Sequence, residues 1–383
     1  MITIARAQMP VLRRLTVVAA ATMSLVLAAP LAAFAAVSVT PDDTARVNGT
    51  VFAIAQVGNR TIIGGDFTMV GGQPRNHIAA IRADGKLDTT FKADVDGTVY
   101  SIAGSTDGST VYIGGLFGTA GGAARSNLAA VDSTTGTALP NWVADTTGAT
   151  PEVLAVTVSG NRLYVGGRFG GVDGTSRKRI VAIDATAGDV IKTFNPAPNL
   201  AAVKFLAASP DGTTVFAGGA FDTIGGQSRT TGIAQLYADT GLATPFNPAP
   251  IGSVVVAMGI SPTADRIYFG VADNRVLAYN VATSALVWTI KNGGDTQAIA
   301  VTDTAIYLGG HFGQNITQKV KRQWVESLNL DGTVTSWDPK LAGGSMGIWA
   351  ITATPTAIHL GGEFITINGA NSHPRYARFA GTP

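Results

Sequence analysis

One short segment recurs along this chain of 383 residues, and its recurrence constrains the fold more than any other feature. It is an apolar run, a glycine doublet, one variable residue and a phenylalanine. The copies are Gly64-Gly65-Asp66-Phe67, Gly114-Gly115-Leu116-Phe117, Gly166-Gly167-Arg168-Phe169, Gly218-Gly219-Ala220-Phe221, Gly309-Gly310-His311-Phe312 and Gly361-Gly362-Glu363-Phe364. A shortened copy, Ile267-Tyr268-Phe269-Gly270, sits between the fourth and the last two. The first glycines fall at 64, 114, 166, 218, 270, 309 and 361, in steps of 50, 52, 52, 52, 39 and 52. A period of this size marks a repeat architecture, in which one unit buries its apolar faces only against its neighbours.

The contents of a unit say what the repeat is. In the second unit, strand-like runs cover Val99 to Ala103, Thr110 to Phe117, Leu128 to Val131 and Ala138 to Val143. The turns Asp107-Gly108 and Thr135-Gly136 separate members of the set. β-Branched and aromatic runs between such turns are strand and hairpin signals. Four short strands and their loops consume about fifty residues. The sequence therefore predicts an all-β chain, a seven-bladed β-propeller of four-stranded antiparallel blades. Runs such as Ile78-Ala79-Ala80-Ile81 do not alternate with polar residues, as expected of a sheet covered on both faces. Without Cβ atoms, the glycine doublet lets one blade approach the next, and the following Phe fills the space between them.

The blades are expected at about 49–97, 98–152, 153–201, 202–253, 254–295, 296–345 and 346–383. The last lacks its own fourth run. Val37-Ser38-Val39-Thr40-Pro41 resembles one, so residues 37–41 are expected to pair into the last blade and close the ring. Upstream, Arg6, Arg13 and Arg14 precede an apolar run from Leu15 to Ala29, and Ala33-Phe34-Ala35 is a small-x-small cleavage site. Residues 1–36 therefore read as a secretory signal peptide, which leaves a secreted or cell-wall-associated chain with no stable membrane span. There is no cysteine, and a chain with 46% hydrophobic and 14% charged residues is long enough to bury a core without staples. A formal net charge of +2 is too small to argue for nucleic acid.

These residues resemble the delta-60 repeat of exported bacterial proteins: an apolar strand, GGxF, a loop ending in Arg, and a further apolar strand with an Asp-Gly or Thr-Gly turn. Gly114-Gly115-Leu116-Phe117, Arg125 and Leu128-Ala129-Ala130-Val131-Asp132 carry the pattern. The glycine doublets are also similar to kelch repeats. In the fifth unit, Val276 through Trp288 resembles a quinoprotein-type blade. All three resemblances imply the same architecture, and none implies an activity.

Comparing units separates scaffold from candidate sites. Arg75, Arg125, Arg177 and Arg229 each lie eleven residues after their first glycine, and such repetition assigns them to the scaffold. The residue after the doublet varies. Asp66, His311 and Glu363 would hold equivalent places on three adjacent blades, a candidate cation site. Arg168, with Lys319, Lys321 and Arg322 in the enlarged sixth-unit loop and Asn371 and His373 in the seventh, are candidate ligand-binding residues. The four histidines, His77, His311, His359 and His373, are scattered, and no HExxH, GxSxG or P-loop occurs. No catalytic residue and no cofactor is expected. The leading reading is a monomeric, non-catalytic binding module for an extracellular protein or cell-surface glycan. The alternatives are a polysaccharide hydrolase or lyase, and a structural surface component.

Overall fold

The computed structural model describes residues 36–371 and 373–383, so the expected signal peptide lies, but for Ala36, outside the described residues. Among those residues all regular structure is β-strand, and no helix is long and apolar enough to cross a membrane.

Each repeat folds into its own antiparallel sheet. In the second unit Thr98–Gly104, Thr110–Leu116 and Leu128–Asp132 pair in sequence order. The middle strand carries the glycine doublet. The same arrangement is built on Arg60–Asp66, Arg162–Arg168, Thr214–Ala220, Arg266–Val271, Ala305–Gly310 and Ala357–Gly362, giving seven such sheets among the described residues. The middle strands are almost wholly buried, which explains why their residues do not alternate.

The expected fourth strand is regular only in the fifth unit, at Leu286–Lys291. In five other units it is reduced to one bridge, as between Ala138 and Val131 or Val334 and Leu328. Four-stranded blades are thus the exception, and local chemistry explains it. Asp88, Thr244 and Thr335 follow the bridging residue, and their side chains accept the N–H two residues on, at 2.9, 3.2 and 3.3 Å. Such local bonds turn the chain off the sheet. In the second unit Pro140 supplies no N–H to extend the pairing. The Leu-Val-Trp-Thr-Ile-Lys run of the fifth unit has neither device.

Where backbone pairing stops, an aromatic plug takes over. Trp142 packs on Tyr112 at 5.7 Å between ring centres, Phe194 on Tyr164 at 5.3 Å, Phe246 on Phe216 at 5.7 Å and Trp337 on Tyr307 at 5.4 Å. Each pair contributes about 0.5–1.5 kcal/mol beyond its burial. The Trp142 indole and the Tyr112 hydroxyl both donate to the Ala185 carbonyl of the next sheet, at 3.0 and 2.7 Å.

The first glycine of each doublet faces the inner strand of the following sheet. A Cβ on Gly64 or Gly114 would lie 2.5 Å from Val99 or Val153 respectively, and one on Gly309 would lie 2.4 Å from Ile348. Gly361 in the last sheet faces Val51 of the first, where a Cβ would lie 2.6 Å away. The Thr352 hydroxyl donates to the Ile54 carbonyl at 2.8 Å across the same contact. Beside the last strand, Tyr376–Ala380, Ser38 and Asp42 donate their N–H groups to Ala380 and Arg378, each at 2.8 Å. The Trp337 indole donates to the Ser38 carbonyl at 2.9 Å, and Arg378 pairs with Asp42.

Gly114→Ala is expected to cost about 1–3 kcal/mol, because backbone on both sides holds the new methyl against Val153. Adding Val153→Ala should recover part of that loss relative to the sum of the two single variants. Urea melts of all four proteins check this; strict additivity would show that the two positions do not meet.

Candidate functional site

Every inner strand of the seven sheets is irregular at one place. The pairing register skips one residue between Val51 and Ala53, and the same skip recurs in each of the other six. The skipped residues are Phe52, Tyr100, Leu154, Lys204, Val256, Gln297 and Trp349. A bulge inserts an unpaired residue and re-aims its side chain. The second glycine of the doublet packs against this irregularity: a Cβ on Gly65 would fall 2.0 Å from the Thr50 carbonyl oxygen. All seven skipped residues line one pocket of about 780 Å³, so each sheet contributes one freely variable side chain to a common cavity.

The lining is sided. Phe52 packs edge-on to Trp349, with ring centres 5.6 Å apart, and is tilted against Tyr100 at 5.9 Å. These three rings come from the seventh, first and second sheets. Leu154, Phe205, Val256 and Met258 continue the apolar wall. Polar groups sit among them. Arg168 pairs with Glu152 at 3.0 Å, and Asp295 lines the same cavity. With its amide oriented to satisfy it, Gln297 donates to the Met346 and Ile348 carbonyls at 3.0 and 3.2 Å. Lys204 is exposed at the cavity and has no ion pair or side-chain hydrogen bond among the described residues. Burial pushes the Tyr100 hydroxyl above its usual range, with Glu152 and Asp66 adding to the effect. The phenol therefore stays protonated and able to donate.

Arg168 is the one candidate ligand residue that lies in this cavity. Arg322 is placed differently. Its two guanidinium ends donate to the carbonyls of Lys321 at 2.8 Å and Thr335 at 2.7 Å. Arg75, Arg125, Arg177 and Arg229 make the corresponding pair of bonds, each tying its loop to the turned-away segment of its own sheet. Arg322 is thus the fifth member of the scaffold set, supplied by the sixth unit and displaced in sequence by the longer loop, and an ion pair with Asp338 at 3.3 Å holds it further. His373 precedes the last strand by the same interval and is buried, with Asp43 at 4.0 Å. Asn371 is exposed and accepts a bond from Arg46 on its carbonyl at 3.0 Å. Lys321 is exposed and Lys319 stands at φ 60° in the same loop.

Asp66, His311 and Glu363 are not brought together in this structure. Among the described residues no three acid or histidine side chains are grouped to hold an ion. Two of them are drawn into their own sheets' surroundings: Asp66 lies 3.7 Å from His77, and Glu363 accepts from Ser345 at 2.6 Å and from the Met346 N–H at 3.2 Å. Burial works to raise the Glu363 carboxyl, but these hydrogen bonds, with the neighbouring Trp349 indole, hold it below its ordinary value.

The comparisons with known proteins agree on the architecture. A family model described as a domain of unknown function, DUF5122 β-propeller, matches residues 59–91. A search of curated proteins finds no match. Among solved structures, the WD40 β-propeller domain of Doa1 aligns over 91% of this chain and 96% of its own, with a TM-score of 0.58 at 11% identity. The computationally designed Ika8 protein aligns over the same shares, with a TM-score of 0.55 at 15% identity. At such identities the likeness concerns the fold alone. The chain is an all-β, repeat-built β-propeller protein.

One histidine outside the cavity has a measurable consequence. His359 is buried on the last middle strand, with Nδ1 3.0 Å from the Tyr376 hydroxyl. Burial, reinforced by Arg378, pushes it down to about 4. The native imidazole stays neutral while the unfolded one takes a proton below about pH 6.5. Stability is therefore lost as pH falls from about 6.5 to 4, and the loss is complete below that, amounting to about 3 kcal/mol. His359→Gln should remove this part of the slope. The difference between the denaturation profiles of the two proteins over pH 4 to 7 isolates it; parallel profiles would rule it out.

Proposed function

We propose that the seven sheets are the blades of a closed seven-bladed propeller, and that the chain is an exported, non-catalytic binding module taking a saccharide at the shared cavity. The observation that carries the reading is the ring of bulges. Seven equivalent backbone sites each present one residue to a single cavity, so ligand choice varies without disturbing the scaffold. Contacts between Gly361 and Val51, and the residues 38–42 lying along the last strand, support closure. The basic, apolar and small-residue order of residues 1–36 supports export.

The chemistry of the wall favours a saccharide. Aromatic rings at one side offer faces and edges to the C–H surface of a sugar ring. Glu152, Asp295 and the Tyr100 hydroxyl offer acceptors and a donor to hydroxyl groups. Glycosidic cleavage would need a carboxyl group held protonated by a raised pKa. Of the two acids that line the cavity, Glu152 is engaged by Arg168 rather than left free as an acid.

Two measurements test this. The chain from residue 37 onward should retain saccharides on a glycan array, and Trp349→Ala should weaken that binding about tenfold or more, in line with the loss of a buried aromatic anchor. Retention unaffected by Trp349→Ala would place the site elsewhere. Removing residues 37–41 should lower the melting temperature by several degrees; an unchanged melt would refute closure by this segment.

A further inference from the structure

The cavity is chemically two-sided, and this has a bearing on its ligand. Inner strands touch in the order of their sheets, and the seventh touches the first. The fourth sheet is therefore three steps from both the first and the seventh, directly across from Phe52 and Trp349. Its bulge residue is Lys204. The third, fourth and fifth sheets place the apolar residues Leu154, Phe205, Val256 and Met258 in the same wall, together with the Arg168–Glu152 pair of the third. Lys204 is exposed to the cavity and makes no ion pair or side-chain hydrogen bond among the described residues, so its charge is free to meet a ligand. The other cation of the wall, Arg168, is neutralised by Glu152 at 3.0 Å. The remaining acids near the cavity lie on other sheets, Asp66 on the first beside Tyr100 and Asp295 on the sixth. They disfavour negative charge at the first-sheet and sixth-sheet sides of the cavity.

We propose that the saccharide bound at this cavity carries an anionic group, received by Lys204 while the sugar ring rests on the Trp349, Phe52 and Tyr100 side. The inference rests on the saccharide reading above and narrows it to acidic sugars, whether the charge is a carboxylate or a phosphate. Lys204 acts as a point charge, so it attracts either group and selects against the uncharged sugar.

Calorimetric titration of the chain from residue 37 onward decides the matter, with three probes. These are an oligosaccharide ending in glucuronic acid, the same compound as its methyl ester, and the corresponding glucose 6-phosphate-ended compound. The acid should bind at least about tenfold more tightly than the ester, and the advantage should shrink as salt is raised. Lys204→Met, with an unchanged melting temperature, should bind acid and ester alike. Tighter binding by the phosphate than by the acid would identify phosphate as the preferred source of charge, and the reverse would identify carboxylate. Equal binding of acid and ester by the unaltered protein, or a difference that survives Lys204→Met, would overturn the inference and leave the saccharide reading standing. Failure of all three probes together with a blank glycan array would overturn both.

Discussion

The structure depends on the close face-to-face approach of successive sheets. Each sheet is apolar on both sides and cannot stand in water alone. It is made stable by a neighbour whose β-branched inner residue fits where a glycine leaves room. Val99 against Gly64, Val153 against Gly114 and Ile348 against Gly309 are copies of one contact. The glycine has no side chain to contribute, and its absence is what lets the valine or isoleucine bury itself. The second glycine meets the same need inside its own sheet, where the inner strand bulges toward it. One doublet thus serves two packings, one between sheets and one within its own, which explains why it recurs while the residue beside it drifts.

The bulge connects scaffold to function. A regular strand would point successive residues at the two neighbouring sheets and leave none for the shared cavity. Skipping one residue in the register turns a side chain out of the face-to-face packing and toward the shared cavity. Its identity is released from core packing, and Phe, Tyr, Leu, Lys, Val, Gln and Trp occupy the seven equivalent places. The cavity they share inherits its asymmetry from that freedom, with aromatic rings on three consecutive sheets and a single ammonium group opposite. Polar groups elsewhere are mostly engaged in holding loops. The repeat arginines lie outside the cavity, their guanidinium ends donated to carbonyls of their own sheets.

Much of the fold was legible in the residues. The glycine series identified seven units and their middle strands, and the non-alternating runs announced sheets buried on both faces. The fourth strands were overread. Thr110 to Phe117 and Ala138 to Val143 look alike as apolar runs, but Pro140 and the turning hydroxyls of Thr244 and Thr335 end the pairing after one bridge. The site was mostly hidden. Lys204 lies 14 residues before its first glycine and Phe52 only 12, because the intervening hairpins differ in length, so no fixed offset exposes the set. Arg322 was misread for a related reason: two extra residues in its loop disguised a scaffold position as a basic cluster. Arg168, at a fixed spacing beside the doublet, is the one candidate that the structure places at the cavity.

The sequence by itself determined the repeat, the β character of every unit and the places where sheets approach most closely. Those properties follow from residue type and short-range spacing, which a linear chain displays directly. Only the tertiary structure decided which side chains share a cavity. That choice arises from pairing register and from contact between units some three hundred residues apart, as where Gly361 meets Val51. A one-residue slip in register is invisible in composition and spacing, yet it turns a side chain from the face of a sheet to the shared cavity.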